Sequence, residues 1–243
     1  MTALLEAEGM TKRFGGVAAL DGCSISVSEG TITALIGPNG SGKTTLFNLI
    51  TGFMKADSGR LVFAGRAVRR PEPSHLYRLG LCRTFQQARV FSNLTMIENL
   101  VAAVQQPRLA LLRTRIREAD RKRALDVLEE FGLVRLAEMR ARELSFGQRK
   151  LLEFATVLMG RPRIVLLDEP TSGVNPVMIQ TIERHVRSLH AEGMTFLVVE
   201  HDMHVVSRLC DPVIVLDHGT KIMEGTPAQV QSDQAVLDAY LGT

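Results

Sequence analysis

A glycine-rich segment at residues 37–44 is the feature that most restricts what this chain can fold into. It matches the pattern G-x-x-x-x-G-K-[ST], and its members are Gly37, Pro38, Asn39, Gly40, Ser41, Gly42, Lys43 and Thr44. A predicted strand at 31–36 precedes it, and a predicted helix follows it. Glycines in such a loop let backbone N–H groups surround phosphate oxygens, and the following helix N-terminus adds partial positive charge. The order strand, loop, helix therefore predicts an α/β domain with a phosphate-binding loop.

The end of this loop predicts how a phosphate ligand is held. Lys43 is expected to reach the phosphates, and the hydroxyl of Thr44 is expected to bind Mg²⁺. Thr45, the next residue in the chain, is also predicted to contribute to nucleotide binding.

Two adjacent carboxylates, Asp168 and Glu169, follow the apolar run at 164–167. A carboxylate at the C-terminal end of a parallel strand points into the crevice where ligands bind. Asp168 is therefore predicted on the Mg²⁺ side, acting through water, and Glu169 is predicted to polarise a water against the terminal phosphate. An acidic pair after a strand is by itself more often a surface turn, but the phosphate loop favours the catalytic interpretation.

Residues 144–148 read Leu-Ser-Phe-Gly-Gln and precede apolar residues at helical spacing. Ser145 and Gln148 form the S-x-x-Q pattern of a capping box, which predicts a helix start. The Ser145 hydroxyl, the backbone N–H of Gly147 and the helix dipole would also form a second anion site. One nucleotide is not expected to use two such sites within one chain, which favours a site for a neighbouring subunit's nucleotide.

Apolar periodicity predicts the arrangement of the sheets. The runs 164–167, 195–199 and 213–216 are typical of parallel strands covered on both faces. Between the first two, apolar residues recur at helical spacing after Asn175-Pro176, an N-cap followed by proline at N1. This order predicts a right-handed βαβ unit.

The N-terminal part and the middle of the chain show different patterns. Residues 20–28 alternate apolar residues with serine, and together with 4–10 and 60–64 they predict a small antiparallel layer. Residues 94–132 are mostly helical in pattern. The apolar side chains on one face there are Leu125, Leu128 and Phe131. We predict a single α/β domain over 1–243. It has a P-loop NTPase core with a mainly parallel sheet, an N-terminal antiparallel β layer and a helical subdomain inserted at about 94–160.

Composition and charge exclude several classes of protein. With 29 Lys and Arg against 26 Asp and Glu, the net charge of +3 and the 45% hydrophobic content are those of an ordinary globular protein. The longest uncharged runs have 13 residues, fewer than the roughly 20 that a membrane helix needs. No secretory signal is visible at the start, so a cytoplasmic location is expected. The cysteines, at 23, 82 and 210, are too dispersed for a disulfide framework or a zinc cluster and are expected to be reduced core thiols.

The basic charge is concentrated in residues 108–123, which contain seven basic and two acidic residues. A solvated helix face is one interpretation. Anionic lipid headgroups or an acidic partner loop are the others. Interleaved aromatic residues are missing from the segment, so nucleic acid is not expected as a partner.

An ordered set of motifs, spread over nearly the whole chain, resembles the ATP-binding cassette ATPase of ABC transporters. The set comprises the phosphate loop, Gln86 within 84–87, the 144–148 motif, Asp168-Glu169, residues 172–175 and His201. The resemblance implies ATP and Mg²⁺ as cofactors, with Mg²⁺ held by Thr44, Gln86 and Asp168.

The resemblance also implies a role for each motif. Gln86 senses Mg²⁺ and the attacking water, Glu169 is the catalytic base, and His201 holds the γ-phosphate and water in place. Ser145 and Gly147, with Gln148 beside them, bind the γ-phosphate of the opposite subunit.

Two aromatic residues complete the comparison with the family. Phe14 lies where family members stack an aromatic ring on adenine, although a lone phenylalanine is more often a core or exposed apolar residue. Phe146 departs from the glycine that is commoner at the third position of the 144–148 motif.

Within the family, the chain is similar to the ATPases of branched-chain amino acid importers. The features that carry this similarity are residues 200–203, the long segment after Gln86 and the sequence at 239–242. The similarity implies three kinds of partner. These are transmembrane permease subunits, a second ATPase subunit that is identical or homologous, and indirectly a solute-binding protein. It also implies a peripheral position on the cytoplasmic face of the inner membrane.

Other functions of the same fold remain as alternatives. Lipopolysaccharide-export ATPases share a similar short design. A soluble cassette ATPase acting on DNA would need a long coiled-coil insertion, whereas Ser145 follows Lys43 by only 102 positions. Cassettes that act on ribosomes usually come in pairs, and this chain has one. A GTPase is disfavoured because the chain lacks an Asn-Lys-x-Asp motif.

Overall fold

The computed structural model describes residues 2–85, 88–104 and 116–241. The strands in chain order are β1 (Ala3–Phe14), β2 (Val17–Ser28), β3 (Ile32–Ile36), β4 (Ser58–Phe63), β5 (Arg66–Val68), β6 (Leu81–Arg83), β7 (Ile164–Asp168), β8 (Thr195–Val199), β9 (Val213–Asp217) and β10 (Thr220–Gly225). The helices are α1 (Lys43–Ile50), α2 (Pro73–Leu79), α3 (Met96–Ala102), α4 (Glu118–Glu130), α5 (Phe146–Leu158), α6 (Pro176–Ala191), α7 (Met203–Leu209), α8 (Pro227–Ser232) and α9 (Gln234–Leu241). Two 3₁₀ turns, Val134–Leu136 and Ala141–Glu143, lie between α4 and α5.

The first sheet is antiparallel and has the strand order β2-β1-β4-β5. Alternation determines which face of β2 is buried: Cys23, Ile25 and Val27 point into the core, and the serines between them are exposed. The predicted N-terminal antiparallel layer is confirmed, with β1 extending to Phe14.

The second sheet has the strand order β10-β9-β3-β8-β7-β6, and only β10 runs antiparallel to its neighbour. Every residue of β3, β7 and β8 is buried, as expected for parallel strands covered on both faces. The antiparallel sheet and α1 cover one face, and helices that include α5 and α6 cover the other. The predicted βαβ unit is β7-α6-β8, and the predicted mainly parallel sheet is confirmed.

The helical segment lies between two neighbouring strands of this sheet. The chain leaves the sheet after β6, passes through α3, α4 and α5, and returns as β7, which pairs with β6 in parallel. Phe154 of α5 packs edge-to-face against Phe131, with ring centroids 5.3 Å apart, and lies 6.4 Å from Phe196 of β8. These contacts join the helices to the sheet in one core. The boundaries predicted for a subdomain at 94–160 stay a prediction, and much of the basic segment lies outside the described residues.

Two predictions from composition concern membrane-spanning helices and the state of the cysteines. Among the described residues, no helix is both long and apolar enough to cross a membrane. The cysteines are free and buried, and burial raises the pKa of Cys23 to about 11 and that of Cys82 and Cys210 to about 12. Such thiols stay protonated and behave as small apolar groups.

Candidate active site

The phosphate loop connects the C-terminal end of β3 to α1. Gly42 is the N-cap of α1, with a φ of 103°, and no side chain caps the helix, so its first N–H groups face the loop. Gly37 is buried, and a Cβ at this position would lie 2.1 Å from the carbonyl oxygen of Leu216 on β9. The loop therefore passes so close to the neighbouring strand that only glycine fits at its start.

Lys43 lies across this loop. Its Nζ donates to the carbonyl oxygens of Gly37 at 2.7 Å and Pro38 at 2.9 Å. Burial lowers the pKa of the Lys43 ammonium, and the charge of Glu169 acts in the opposite direction. The predicted phosphate-binding lysine and the predicted base are thus close enough for their charges to interact. Thr44 is exposed at the first turn of α1, and Thr45 is half-buried.

The two predicted carboxylates lie at the C-terminal end of β7, at the same edge of the sheet as the phosphate loop. Asp168 is the last residue of β7 and is buried, whereas Glu169 begins the connection to α6. Glu169 has a φ of 46°, and its backbone N–H donates to the carbonyl of Val199 at the end of β8. A glutamate in the left-handed region is held there by its surroundings at a cost of about 1–3 kcal/mol, and such residues cluster at active sites.

Asp168 has a partner that the sequence analysis did not identify. Its Oδ2 lies 2.5 Å from Nη2 of Arg83, and both side chains are buried. Arg83 also donates to Asn48 Oδ1 at 2.7 Å and Thr51 Oγ1 at 3.2 Å. One guanidinium at the end of β6 therefore connects the acidic end of β7 to α1.

His201 follows β8 and is exposed, beside a buried carboxylate. Glu200 is 1% exposed, and its Oε1 accepts from the backbone N–H of Thr171 at 3.1 Å and from the Thr171 hydroxyl at 2.6 Å. The N–H of His201 donates to the other oxygen of Glu200 at 3.3 Å. Glu200 thus connects the loop after β7, which carries Glu169, to the loop that carries His201.

The 144–148 motif forms the predicted capping box at the start of α5. The N–H of Gln148 donates to Ser145 Oγ at 3.3 Å, and the N–H of Ser145 donates to Gln148 Oε1 at 2.9 Å. Ser145 and Phe146 are exposed, and a Cβ on Gly147 would lie 2.8 Å from Cε of Met178. The proposed contact with another subunit's nucleotide stays a prediction.

Phe14 and Gln86 are the remaining predicted site residues. Phe14 ends β1 and is 49% exposed. Its hairpin reaches the phosphate loop, because a Cβ on Gly42 would lie 2.6 Å from the carbonyl oxygen of Ala19 on β2. Gln86 lies outside the described residues. The stacking role of Phe14 and the sensing role of Gln86 stay predictions.

Several charged residues near this edge were missed by sequence reasoning. They are Arg83, Lys150, Glu153 and Glu200. Glu200 directly follows an apolar strand, so the rule that selected Asp168 would also have found it. The other three are identified only by contacts with segments distant in sequence.

The donor groups at this edge fit a nucleotide phosphate with Mg²⁺. A triphosphate needs backbone N–H groups and a cation, which the loop before α1 and Lys43 supply. Mg²⁺ at phosphate sites takes few protein ligands and completes its shell with phosphate and water oxygens. A hydroxyl at Thr44 and a carboxylate at Asp168 match that donor set.

Comparisons with known proteins decide the family. A model of the ABC transporter family matches residues 20–172, and a model of the branched-chain amino acid ATP-binding cassette transporter matches residues 220–243. The chain belongs to the ABC transporter family. The resemblance and the cassette fold predicted from its motifs are confirmed, and this ABC protein is an ATP-binding subunit.

Relatives with known names are similar over almost their whole length. The probable branched-chain amino acid transport ATP-binding protein LivG of Methanocaldococcus jannaschii is 40% identical, over 98% of this chain and 97% of the relative. The high-affinity branched-chain amino acid transport ATP-binding protein BraF of Pseudomonas aeruginosa is 36% identical, over 98% of each.

Solved structures agree with this assignment. A nucleotide-free ATP-binding cassette from an ABC transporter superposes with a TM-score of 0.89 at 39% identity and full coverage of both chains. An ADP conformation of such a cassette has the same TM-score, identity and coverage.

Proposed function

We propose that this ABC protein hydrolyses Mg-ATP to power a membrane importer of branched-chain or related amino acids. The observation that carries the hydrolytic part is the convergence of four predicted residues at one edge of the parallel sheet. These residues lie at or just beyond the C-terminal ends of β3, β7 and β8, and they are Lys43, Asp168, Glu169 and His201. The names of the relatives support the transported class, since LivG and BraF are both described as branched-chain amino acid transport proteins.

In this proposal, the position of each residue determines its role. The backbone of the phosphate loop and Lys43 bind the triphosphate, and Thr44 and Asp168 would hold Mg²⁺, Asp168 through water. When bound, Mg²⁺ neutralises charge that develops on the β- and γ-phosphate oxygens. Glu169 accepts a proton from the attacking water, and His201 orients that water and the γ-phosphate.

The partners belong to the same proposal. Hydrolysis powers transport only if the cassette docks on permease subunits at the cytoplasmic face of the membrane, and those subunits receive solute from a binding protein. A second ATPase subunit, identical or homologous, would supply Ser145 and Gly147 to each nucleotide. A dimeric ATP-binding cassette in a post-hydrolysis state, 27% identical to this chain with a TM-score of 0.78, supports pairing of two cassettes.

Reconstitution with the permease subunits and the solute-binding protein tests the function, with Glu169→Gln as the decisive variant. The amide keeps the shape of the side chain but cannot accept a proton, so ATP binding should persist while turnover falls at least about 10²-fold. ATP hydrolysis and uptake of radiolabelled leucine into proteoliposomes are the measurements. Near-normal ATPase activity would remove Glu169 from the role of base, and hydrolysis without uptake of any branched-chain amino acid would remove the assigned substrate class.

A further inference from the structure

Helix α5 carries two buried charges of opposite sign one turn apart. Lys150 and Glu153 are each only 6% exposed, although lysine and glutamate are rarely buried without a specific partner. Neither side chain is among the residues predicted to touch the nucleotide. Their hydrogen bonds lead instead to two loops of the active site.

Lys150 holds the backbone at the catalytic glutamate. Its Nζ donates to the carbonyl oxygen of Glu169 at 3.0 Å and to that of Pro170 at 3.3 Å. Glu169 has the left-handed φ described above, so its backbone conformation depends on such external contacts. Burial lowers the pKa of Lys150, and the carboxylates of Glu200, Glu153, Glu169 and Asp168 favour its charged form.

Glu153 holds the segment on either side of Gln86. Its Oε1 accepts from the backbone N–H of Phe85 at 3.1 Å and from that of Arg89 at 3.2 Å. Burial raises the pKa of Glu153 to about 7, partly offset by these two hydrogen bonds and by the charges of Lys150 and Arg89. A carboxylate that accepts two backbone hydrogen bonds fixes the separation of the two peptide groups that donate them.

Packing between these loops and α5 leaves a small gap. A cavity of about 20 Å³ separates them; its lining residues are Thr84, Phe85, Lys150, Glu153, Phe154, Leu167, Pro170 and Ile182. A gap forfeits part of the dispersion contacts that otherwise position neighbouring groups. The polar contacts of Lys150 and Glu153 bridge this gap and contribute to the spacing between α5 and both loops.

The same helix begins at the predicted phosphate-contacting serine. Phe146, in its first turn, lies with its ring centroid 5.6 Å from Nζ of Lys150. A Cβ on Gly173, in the loop after Glu169, would lie 3.4 Å from the same ring. The first turn of α5 thus lies close to both the lysine and the loop that the lysine holds.

We propose that Lys150 and Glu153 are positioning residues, through which the first turn of α5 sets the backbone at Glu169 and beside Gln86. The proposal rests on the proposed function, because it takes Glu169 as the base. Neither residue is among those predicted to contact nucleotide, so losing either should lower kcat and leave the KM for ATP nearly unchanged. A misplacement of about 1 Å in a reacting group is enough for losses of up to about 10²-fold.

The test uses Lys150→Met and Glu153→Met in the reconstituted transporter; methionine is used at position 153 because a glutamine oxygen would still accept both backbone hydrogen bonds. Each should lower kcat at least about tenfold with KM within about twofold of the parent, and Lys150→Arg, which keeps a donor cation, should restore part of kcat. Glu183→Met is the matched control. Glu183 is an equally buried carboxylate on α6, but its contacts within the described part of the chain are with Arg208 at 2.6 Å and Arg187 at 3.9 Å. It should lower stability and leave kcat unchanged.

A second measurement separates positioning from a general loss of stability. Amide hydrogen exchange should quicken at Phe85 and Arg89 in Glu153→Met, and in Lys150→Met at Ser172, whose N–H donates to the Glu169 carbonyl at 3.1 Å. Glu183→Met should leave these amides unchanged. If exchange at these amides matches the parent, or if kcat follows stability across all four variants, the positioning role is wrong. The exchange result stands even if Glu169→Gln hydrolyses ATP normally, an outcome that would overturn only the proposed function.

Discussion

Arg83 contacts several residues of the candidate site, although sequence reasoning did not predict it there. Its guanidinium neutralises the buried carboxylate of Asp168 and reaches Asn48 and Thr51 from the same position. It also lies over the ring of Phe85, 5.1 Å from the centroid, next to the Gln86 position. Stability and the placement of the carboxylate predicted on the Mg²⁺ side are therefore expected to depend on the same group.

The variant Arg83→Met tests this dependence. It leaves a buried carboxylate without its cation, which should lower the free energy of unfolding by about 3–5 kcal/mol. Arg163→Met is the control, since the Arg163–Glu29 pair is about half exposed and should contribute no more than about 1 kcal/mol. Urea denaturation of both variants is the measurement. Equal losses would show that Arg83 contributes no more than a surface pair does.

At the scale of elements, the phosphate loop depends on its packing against the β1–β2 hairpin. Gly42 and Gly40 both have positive φ values, 103° and 83°. A Cβ on Gly42 would lie 2.6 Å from the carbonyl oxygen of Ala19, whereas a Cβ on Gly40 would meet nothing within 4 Å. A comparison of alanine at these two positions therefore distinguishes backbone strain from a clash between elements.

Gly42→Ala should be much more damaging than Gly40→Ala. Both variants carry the strain of a left-handed alanine, about 1–2 kcal/mol, but only Gly42→Ala must push β2 away from the start of α1. Thermal unfolding and binding of a fluorescent ATP analogue are the measurements. We expect nucleotide binding to be lost in Gly42→Ala and weakened in Gly40→Ala. Similar behaviour of the two variants would mean that the hairpin does not constrain the loop.

Local patterns predicted most of these elements, and the reason is physical. Alternation in β2, apolar runs in β7 and β8, and the capping box at Ser145 depend on residues close together in the sequence. The Arg83–Asp168 pair and the contact of Lys150 with Glu169 join segments that only the folded topology brings together. Sequence reasoning therefore predicted the residues expected to touch nucleotide and missed those that hold them.

At the scale of the whole molecule, the two predicted phosphate sites lie on different parts of the chain. Lys43 begins α1 beside the antiparallel sheet, whereas Ser145 caps α5 in the helical segment and is exposed. A helix N-terminus of this kind is a ready anion site for a ligand that comes from outside the chain. In a head-to-tail pair, each nucleotide would lie between Lys43 of one chain and Ser145 of the other.

Complementation between two defective chains tests this composite site. In a mixed dimer of Lys43→Ala with Ser145→Arg, one pocket carries both defects and the other carries neither. The intact pocket should trap Mg-ATP, whereas each mutant homodimer has no intact pocket. Glu169→Gln is added to every chain to stop turnover, and trapped radiolabelled nucleotide is the measurement. If the natural partner is a homologous ATPase, the two changes are divided between the two proteins.

The expected signal follows from counting pockets: a verified mixed dimer should retain about one nucleotide, and each homodimer should retain close to none. Loss of Lys43 removes the point charge that is predicted to face the phosphates, so its pocket should no longer hold the triphosphate. Arginine at position 145 breaks the capping box and blocks the helix N-terminus. If the mixed dimer traps no more nucleotide than either homodimer, the composite site is wrong. Ser145 would then act only as the cap of α5, through the hydrogen bonds that the isolated chain already makes.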